Sequence, residues 1–324
     1  MKIRYLTLAA TLLAAFAANA HATVLISESF SGYTVGDING QAVSATGLAG
    51  NWTATIAGTS GNTTAATYTS TGLSFGNLAT SGGAMTLTAG ATTSGTNTLI
   101  IGANTATATS PGVITLYASY LYQTDSGYVA ASHAINQRVG NTANAASSTT
   151  GSRFFLNPDN TNTLSSAAVS YATGSNVTTG GSVPAVNTTY FTVGKFTNVN
   201  GGAAGGTASM VTLDLAQFND WQADGGTESL LFARTQGTGD QAARVRLDDS
   251  ESVGATYVGG TSTFLQATLN LGTATGSFST TFDEFKYGTD FGDVVSVIPE
   301  PSTYALLVGG LGLGLAASRR RRSF

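Results

Sequence analysis

The chain has 324 residues, 13 of them basic and 17 acidic, with 41 glycines and no cysteine. Without cysteine it has neither a disulfide framework nor a thiolate metal site, so burial and hydrogen bonding must hold it together. Setting aside Lys2, Arg4 and four C-terminal arginines leaves 7 basic residues, and setting aside Glu300 leaves 16 acidic ones; a body at about −9 argues against nucleic acid or an anionic membrane surface as partner.

Lys2 and Arg4 precede an apolar run, Leu6–Ala18, followed by small residues at Ala18-Asn19-Ala20 and Ala20-His21-Ala22. A charged start, an apolar stretch and an A-x-A site make a secretory signal peptide over 1–22, which plays no part in the fold. The body then carries short runs of branched and aromatic residues between Gly- and Asn-rich turns, the pattern of many short strands. Strand character falls at Thr23–Glu28, Tyr68–Phe75, Ala84–Thr88, Val113–Tyr122, Arg153–Leu156, Tyr190–Phe196, Met210–Leu215, Gly254–Val258 and Thr280–Tyr287. In Val113–Tyr122 large residues occupy both alternations, so both faces of that strand should be covered. Leu213–Gln222 is the nearest approach to an amphipathic helix, and a short turn is enough to explain it. Stretches 90–109 and 140–151 are low in complexity and read as long loops or weakly specified edge strands. The class expected is all-β, an antiparallel β-sandwich.

The end of the chain changes character. Pro299 and Pro301 fix φ and make Pro299-Glu300-Pro301 an extended tripeptide. Tyr304–Ala317 carries no charge, and Arg319, Arg320, Arg321 and Arg322 follow. As a helix these fourteen apolar residues span about 21 Å, short of the ~30 Å hydrocarbon core, which suits a transient hold better than a permanent span. The arginines predict a cytoplasmic end, and Lys2 and Arg4 predict the same for the other terminus. This order resembles the sorting signal of PEP-CTERM proteins, exported bacterial proteins handled by the membrane protease-transpeptidase exosortase. The resemblance implies a sorting signal over 297–324, with Pro299, Glu300 and Pro301 at the processing site and the four arginines as the membrane stop. It also implies exosortase and the export machinery as partners, transient anchoring in the inner membrane, and release to the cell surface or extracellular matrix.

A second resemblance covers the body, 23–296. Glu28-Ser29-Phe30-Ser31-Gly32-Tyr33, Gly36, Asn39-Gly40-Gln41 and Asn51-Trp52 look like the opening of concanavalin A-like, laminin-G-like domains. Thr189–Phe196 with Met210–Leu215, and Phe282–Val294 near the end, look like a paired strand unit and the closing strand of the same family. The resemblance implies one jelly-roll domain of two antiparallel sheets in which the first and last strands pair.

Catalytic chemistry in a fold of this kind would rest on paired carboxylates. The Glu-x-Asp-x-x-Glu signature carried by glucanases of this fold is absent. Asp248-Asp249-Ser250-Glu251 is the nearest cluster, with Asp249 and Glu251 on one face if extended, but a charged hairpin end is the simpler reading and the one preferred. Asp283 and Glu284 are adjacent in a strand and so fall on opposite faces, unsuited to joint acid/base work; pairing with Lys286 is the simpler role. Asp220, Asp224 and Asp248 are weak calcium candidates without the spacing of a calcium loop, so no cofactor is expected beyond that Ca²⁺ option. His133 is alone in the body and makes no multi-histidine site. Among aromatics that could stack on sugar, Tyr117, Tyr120, Tyr122 and Tyr128 read equally as core and Trp52 as core, while Trp221, in a polar stretch, is the one expected to be exposed. The reading is therefore a non-enzymatic exported surface or matrix protein. The alternatives are a lectin-like carbohydrate-binding protein and, behind it, a glycoside hydrolase or lyase of the same fold.

Overall fold

A computed structural model describes residues 24–57, 64–91, 97–105, 115–128, 133–140, 153–157, 168–170, 185–197, 207–250, 266–273 and 276–297. The strands are β1 (Val24–Glu28), β2 (Gly36–Asp37), β3 (Leu48–Ala57), β4 (Thr64–Thr69), β5 (Ala84–Ala91), β6 (Asn97–Thr105), β7 (Thr115–Thr124) and β8 (His133–Gly140). They continue as β9 (Arg153–Asn157), β10 (Ala168–Ser170), β11 (Thr189–Thr197), β12 (Thr207–Leu213), β13 (Val245–Ser250), β14 (Gln266–Thr273) and β15 (Gly276–Gly288). Three short helices, α1 (Leu215–Ala223), α2 (Glu228–Phe232) and α3 (Phe291–Val294), complete the described elements.

Two antiparallel sheets form a jelly-roll β-sandwich. The larger runs β13-β12-β11-β7-β15-β5-β4-β2, with β1 added on β15; the smaller runs β10-β9-β8-β14-β6-β3. The first and last strands pair as expected, Glu28 opposite Phe285 and Val24 opposite Gly288. Along one edge β15 pairs β7 over most of its length. Along the other it pairs β5 as far as Phe282 and β1 from Phe285 onward. Its partner therefore changes between these residues, and there the register with β7 shifts and Glu284 takes φ +51°. A bulge is the expected device where one strand must serve two neighbours.

Between the sheets lies a core built from alternate positions. It includes Leu116, Ala118, Tyr120 and Tyr122 of β7, Leu99 and Ile101 of β6, Ile135 of β8, Leu156 of β9, and Trp52. Gly194 of β11 is held small by the close approach of the other sheet, since a Cβ there would meet Leu156 Cδ2 at 2.4 Å. The opposite alternation of β7 supplies Tyr117 and Leu121 to a second core with Phe191, Val193, Val211, Leu213, Phe218 and Trp221. Both faces of β7 are thus covered, as its sequence requires.

Several boundaries differ from the sequence reading. The run Tyr68–Phe75 does not form a strand; β4 ends at Thr69, and the residues beyond it fold back to cover the larger sheet. The low-complexity stretch 90–109 holds the end of β5 and the strand β6, while of 140–151 only Gly140, the last residue of β8, is described. Val245–Ser250 is a strand paired with β12, so Asp248 and Asp249 lie within a ladder instead of at a hairpin end. Leu215–Ala223 is a helix and not a turn. Asp214 caps it by accepting from Gln217 N at 2.9 Å, while Gln217 Oε1 accepts from Asp214 N at 3.3 Å, a reciprocal capping box. The Gly254–Val258 run, and the sorting residues Pro299, Glu300, Pro301 and Arg319, Arg320, Arg321 and Arg322, lie outside the described residues. Among the described residues no helix is long and apolar enough to cross a membrane.

Candidate functional site

Each sheet of a sandwich has one face in the core and one outside, and a ligand site needs an outer face or a loop edge. The outer face of the larger sheet is covered by the chain itself. All three helices pack there: α1 on β11 and β12, α2 on β12, and α3 on β7 and β15. Phe75, Phe191 and Phe218 pack in a ring cluster, Phe75 and Phe218 with centroids 5.1 Å apart, and Trp221 meets Phe291 edge-on at 6.1 Å. Trp221 is only 1% exposed, and its indole N–H donates to the Thr227 carbonyl at 2.9 Å. The expectation of an exposed, sugar-stacking Trp221 is overturned, because its polar neighbours in sequence lie on the other side of a helix. Tyr117, Tyr120, Tyr122 and Tyr128 are also buried.

The calcium candidates have other work. Asp220 Oδ2 pairs with Arg234 Nη2 at 2.6 Å and takes a further hydrogen bond from Gln241, and Asp224 lies 3.7 Å from the same guanidinium. Arg234 is 7% exposed, so these carboxylates neutralise a buried cation. Asp248 pairs with Arg246 at 2.6 Å and accepts from Ser209 Oγ. Among the described residues no group of three His, Cys, Asp or Glu side chains is arranged to hold a metal. Asp249 sits opposite Ala208 in the ladder, and Glu251 lies outside the described residues. His133 opens β8.

Sequence reasoning missed a buried carboxylate cluster around the β15 bulge. Glu28, Asp283 and Glu284 are 1%, 0% and 3% exposed, and all six of their oxygens are engaged. Glu28 accepts from Phe30 N and Tyr33 OH, and Asp283 from Leu73 N (2.8 Å) and Glu284 N (2.7 Å). Glu284 accepts from Ser81 N (2.6 Å) and pairs with Lys286 Nζ (2.8 Å), the partner expected for it. Burial pushes the Glu28 carboxyl up to about 7 against the pull of its two donors, and burial pushes Asp283 up to about 8. Gly72 gives this cluster room, since a Cβ there would sit 2.6 Å from Asp283 Oδ2. Three carboxylates thus tie the segments at 30–33, 73 and 81 to one point on β15. Saturation of every oxygen by the protein's own donors marks an anchoring role.

A third polar group closes the edge of the helical cap. Glu228 Oε1 accepts from Tyr117 OH at 2.9 Å and from Lys195 Nζ at 2.6 Å, and Lys195 lies over the Tyr117 and Phe232 rings. Burial, followed by the hydrogen bond to Glu228, raises the Tyr117 hydroxyl well above the usual phenol range. The trio fastens α2 to β7 and β11.

The smaller sheet is different. Since Ile135, Leu156, Leu99 and Ile101 belong to the core, the alternate register positions fall on its outer face. They form cross-strand rows: Arg153, Gly140, Gln266 and Asn104 in one; Phe155, Arg138, Thr268, Gly102 and Thr53 in the next; Asn136, Asn270, Ile100 and Thr55 in a third. These rows are rich in amides, hydroxyls and guanidinium groups, and no strand of this sheet contains Asp or Glu.

The sequence matches no protein-family model and no curated protein. Solved structures similar in fold include the following. The endo-β-1,4-glucuronan lyase of the fungus Trichoderma reesei has a TM-score of 0.39 at 13% identity, covering 82% of this chain and 98% of that one. The PL-14 alginate lyase of Aplysia kurodai has a TM-score of 0.39 at 10% identity, with 68% and 86% covered. The alginate lyase Aly36B, a mutant bound to an alginate trisaccharide, has a TM-score of 0.27 at 11% identity, with 63% and 80% covered.

Proposed function

We propose that the protein is an exported cell-surface or matrix protein that binds extracellular polysaccharide across the outer face of its six-stranded sheet. The carrying observation is the division between the two outer faces. One is roofed by α1, α2 and α3, whereas the other presents rows of Asn, Gln, Thr and Arg positions. Amide and hydroxyl groups at strand spacing suit a hydroxyl-rich polymer, because five strands about 4.8 Å apart extend roughly 19 Å. The leader at 1–22 and the tail at 297–324 support export, sorting by exosortase and transient inner-membrane anchoring.

Affinity electrophoresis of the full-length chain through gels containing neutral and acidic polysaccharides tests the binding reading. Retardation that is lost on Asn136→Ala with Asn270→Ala supports it, and free migration through every gel sinks it. The same incubations, followed by ultraviolet absorbance, detect unsaturated uronate ends; their appearance would replace a binding protein with a lyase. For sorting, Pro299-Glu300-Pro301 replaced by alanines should leave the tail uncut in the native host, and unchanged processing would remove that part of the proposal.

A further inference from the structure

Charge is unevenly divided between the two sheets. Of the seven cations of the body, Lys195, Arg234, Arg244, Arg246 and Lys286 lie on or beside the larger sheet, and each pairs with a carboxylate within 2.8 Å. The other two, Arg138 and Arg153, occupy neighbouring strands of the smaller sheet, whose six strands hold no acidic residue. Among the segments joining two strands of that sheet, only the one between β9 and β10 carries an acid, Asp159.

The register sharpens this. Arg138 stands opposite Phe155, and Arg153 stands opposite Gly140, so the two arginines are diagonal neighbours on one face of an antiparallel pair. Such positions lie about 7–8 Å apart, and like charges at that spacing repel. Gly140 separates Arg153 from Gln266 on the far side, and Thr268 stands beside Arg138. Two guanidinium positions whose register neighbours are Gly140, Phe155 and Thr268, on strands without a carboxylate, form an arrangement that gains when an anion is supplied from outside.

We infer that the polysaccharide taken by this face is an acidic one, with Arg138 and Arg153 as the residues that set its preference for a carboxylated chain. The inference rests on the glycan-binding reading above and adds the ligand's charge to it. A dense polyanion is the poorer match. Two arginines neutralise few phosphates, and the remaining net charge repels them, whereas a polyuronate offers one carboxylate per sugar with hydroxyls for the amide rows.

The test compares polygalacturonate with its fully methyl-esterified form, which keeps the sugars and removes the charge. Dextran sulfate and a neutral β-glucan complete the set, and the full-length chain is used throughout. Polygalacturonate should bind at least about tenfold more tightly than the ester, and the preference should weaken with salt. Arg138→Ala or Arg153→Ala should each reduce polygalacturonate binding about tenfold and reduce binding to the ester by a much smaller factor, and Arg138→Lys should recover part of the loss. Thermal melts of the variants exclude misfolding. Equal binding of acid and ester, or full polygalacturonate binding by the double variant, would overturn the inference while leaving glycan binding in place. Tighter binding to dextran sulfate would overturn the carboxylate assignment. Failure to bind any of the four would remove both readings.

Discussion

The two outer faces of this sandwich are made from the same strand-and-turn material and differ in polarity. On the nine-stranded sheet Tyr117, Leu121, Phe191, Val193, Val211 and Leu213 form an apolar patch that the chain must cover, and it does so with α1, α2, α3 and the segment through Phe75 and Leu78. On the six-stranded sheet the corresponding positions are mostly polar, Asn136, Arg138, Thr268, Asn270 and Gln266, with Phe155 and Ile100 among them. An apolar outer face gains stability by internal coverage, whereas a polar one can be left to meet a ligand. The contrast also agrees with the contacts of Trp221, Asp220, Asp224 and Asp248, each of which meets a partner within the protein. Trp221 fills the cap, Asp220 and Asp224 neutralise Arg234, and Asp248 holds Arg246.

The severest challenge to this comparison is Trp221→Ala. Emptying the centre of the cap should cost about 3–5 kcal/mol in guanidinium chloride unfolding, with Trp221→Phe costing much less. A variant of unchanged stability that no longer binds polysaccharide would transfer the ligand face to the cap. Next is the pH response of the buried cluster. Glu28 and Asp283 have folded values near 7 and 8 against ordinary values of 4.5 and 3.8, so protonation favours the fold. Stability should be full below about pH 4 and be lost as the pH rises through 7 and 8, by an amount on the order of 3 kcal/mol. Thermal melts across that range should show it, and Glu28→Gln with Asp283→Asn should flatten the profile; a wild-type profile already flat would contradict the burial argument.

A smaller effect is expected at the end of the folded body. Ser119 Oγ donates to the Val294 carbonyl at 2.7 Å, Ala79 N donates to Ser296 O, and Leu78 bridges Val297, two residues before Pro299. Ser119→Ala should cost about 1 kcal/mol and speed amide exchange at 294–297 while sparing β7. The smallest effect belongs to the other face. Thr268→Ala and Asn270→Ala should change unfolding free energy by no more than about 0.5 kcal/mol, and a larger loss would mean that these positions are part of the core framework.

The nine-stranded sheet was largely legible in the sequence because its strands carry strong patterns. Thr115–Thr124 and Thr189–Thr197 alternate large apolar residues on two faces, and β15 contributes Phe278, Phe282, Phe285 and Tyr287 to the core between the sheets. The six-stranded sheet was legible mainly at β9. Strands such as His133–Gly140 and Gln266–Thr273 set few apolar residues among Asn, Gly and Thr, and their alternation is shallow enough to pass for loop. The capping box Asp214-x-x-Gln217 was present in the sequence as a helix signal and was outweighed by the shortness of the apolar run. The carboxylate cluster could not be foreseen from strand alternation, because the bulge at Glu284 breaks the period of two that placed Asp283 and Glu284 on opposite faces.

Sequence by itself determined the class. Short alternating runs without cysteine specify many strands held by burial, and 1–22 and 297–324 differ in composition from the residues between them, because charge, apolar length and proline act locally. Only the tertiary structure decided which residues are spent on stability. Burial depends on which strand lies beside which, and that pairing put Trp221 under a cap and three carboxylates at one bulge. It also brought Arg138 and Arg153, fifteen positions apart in the chain, onto one face without an acid between them.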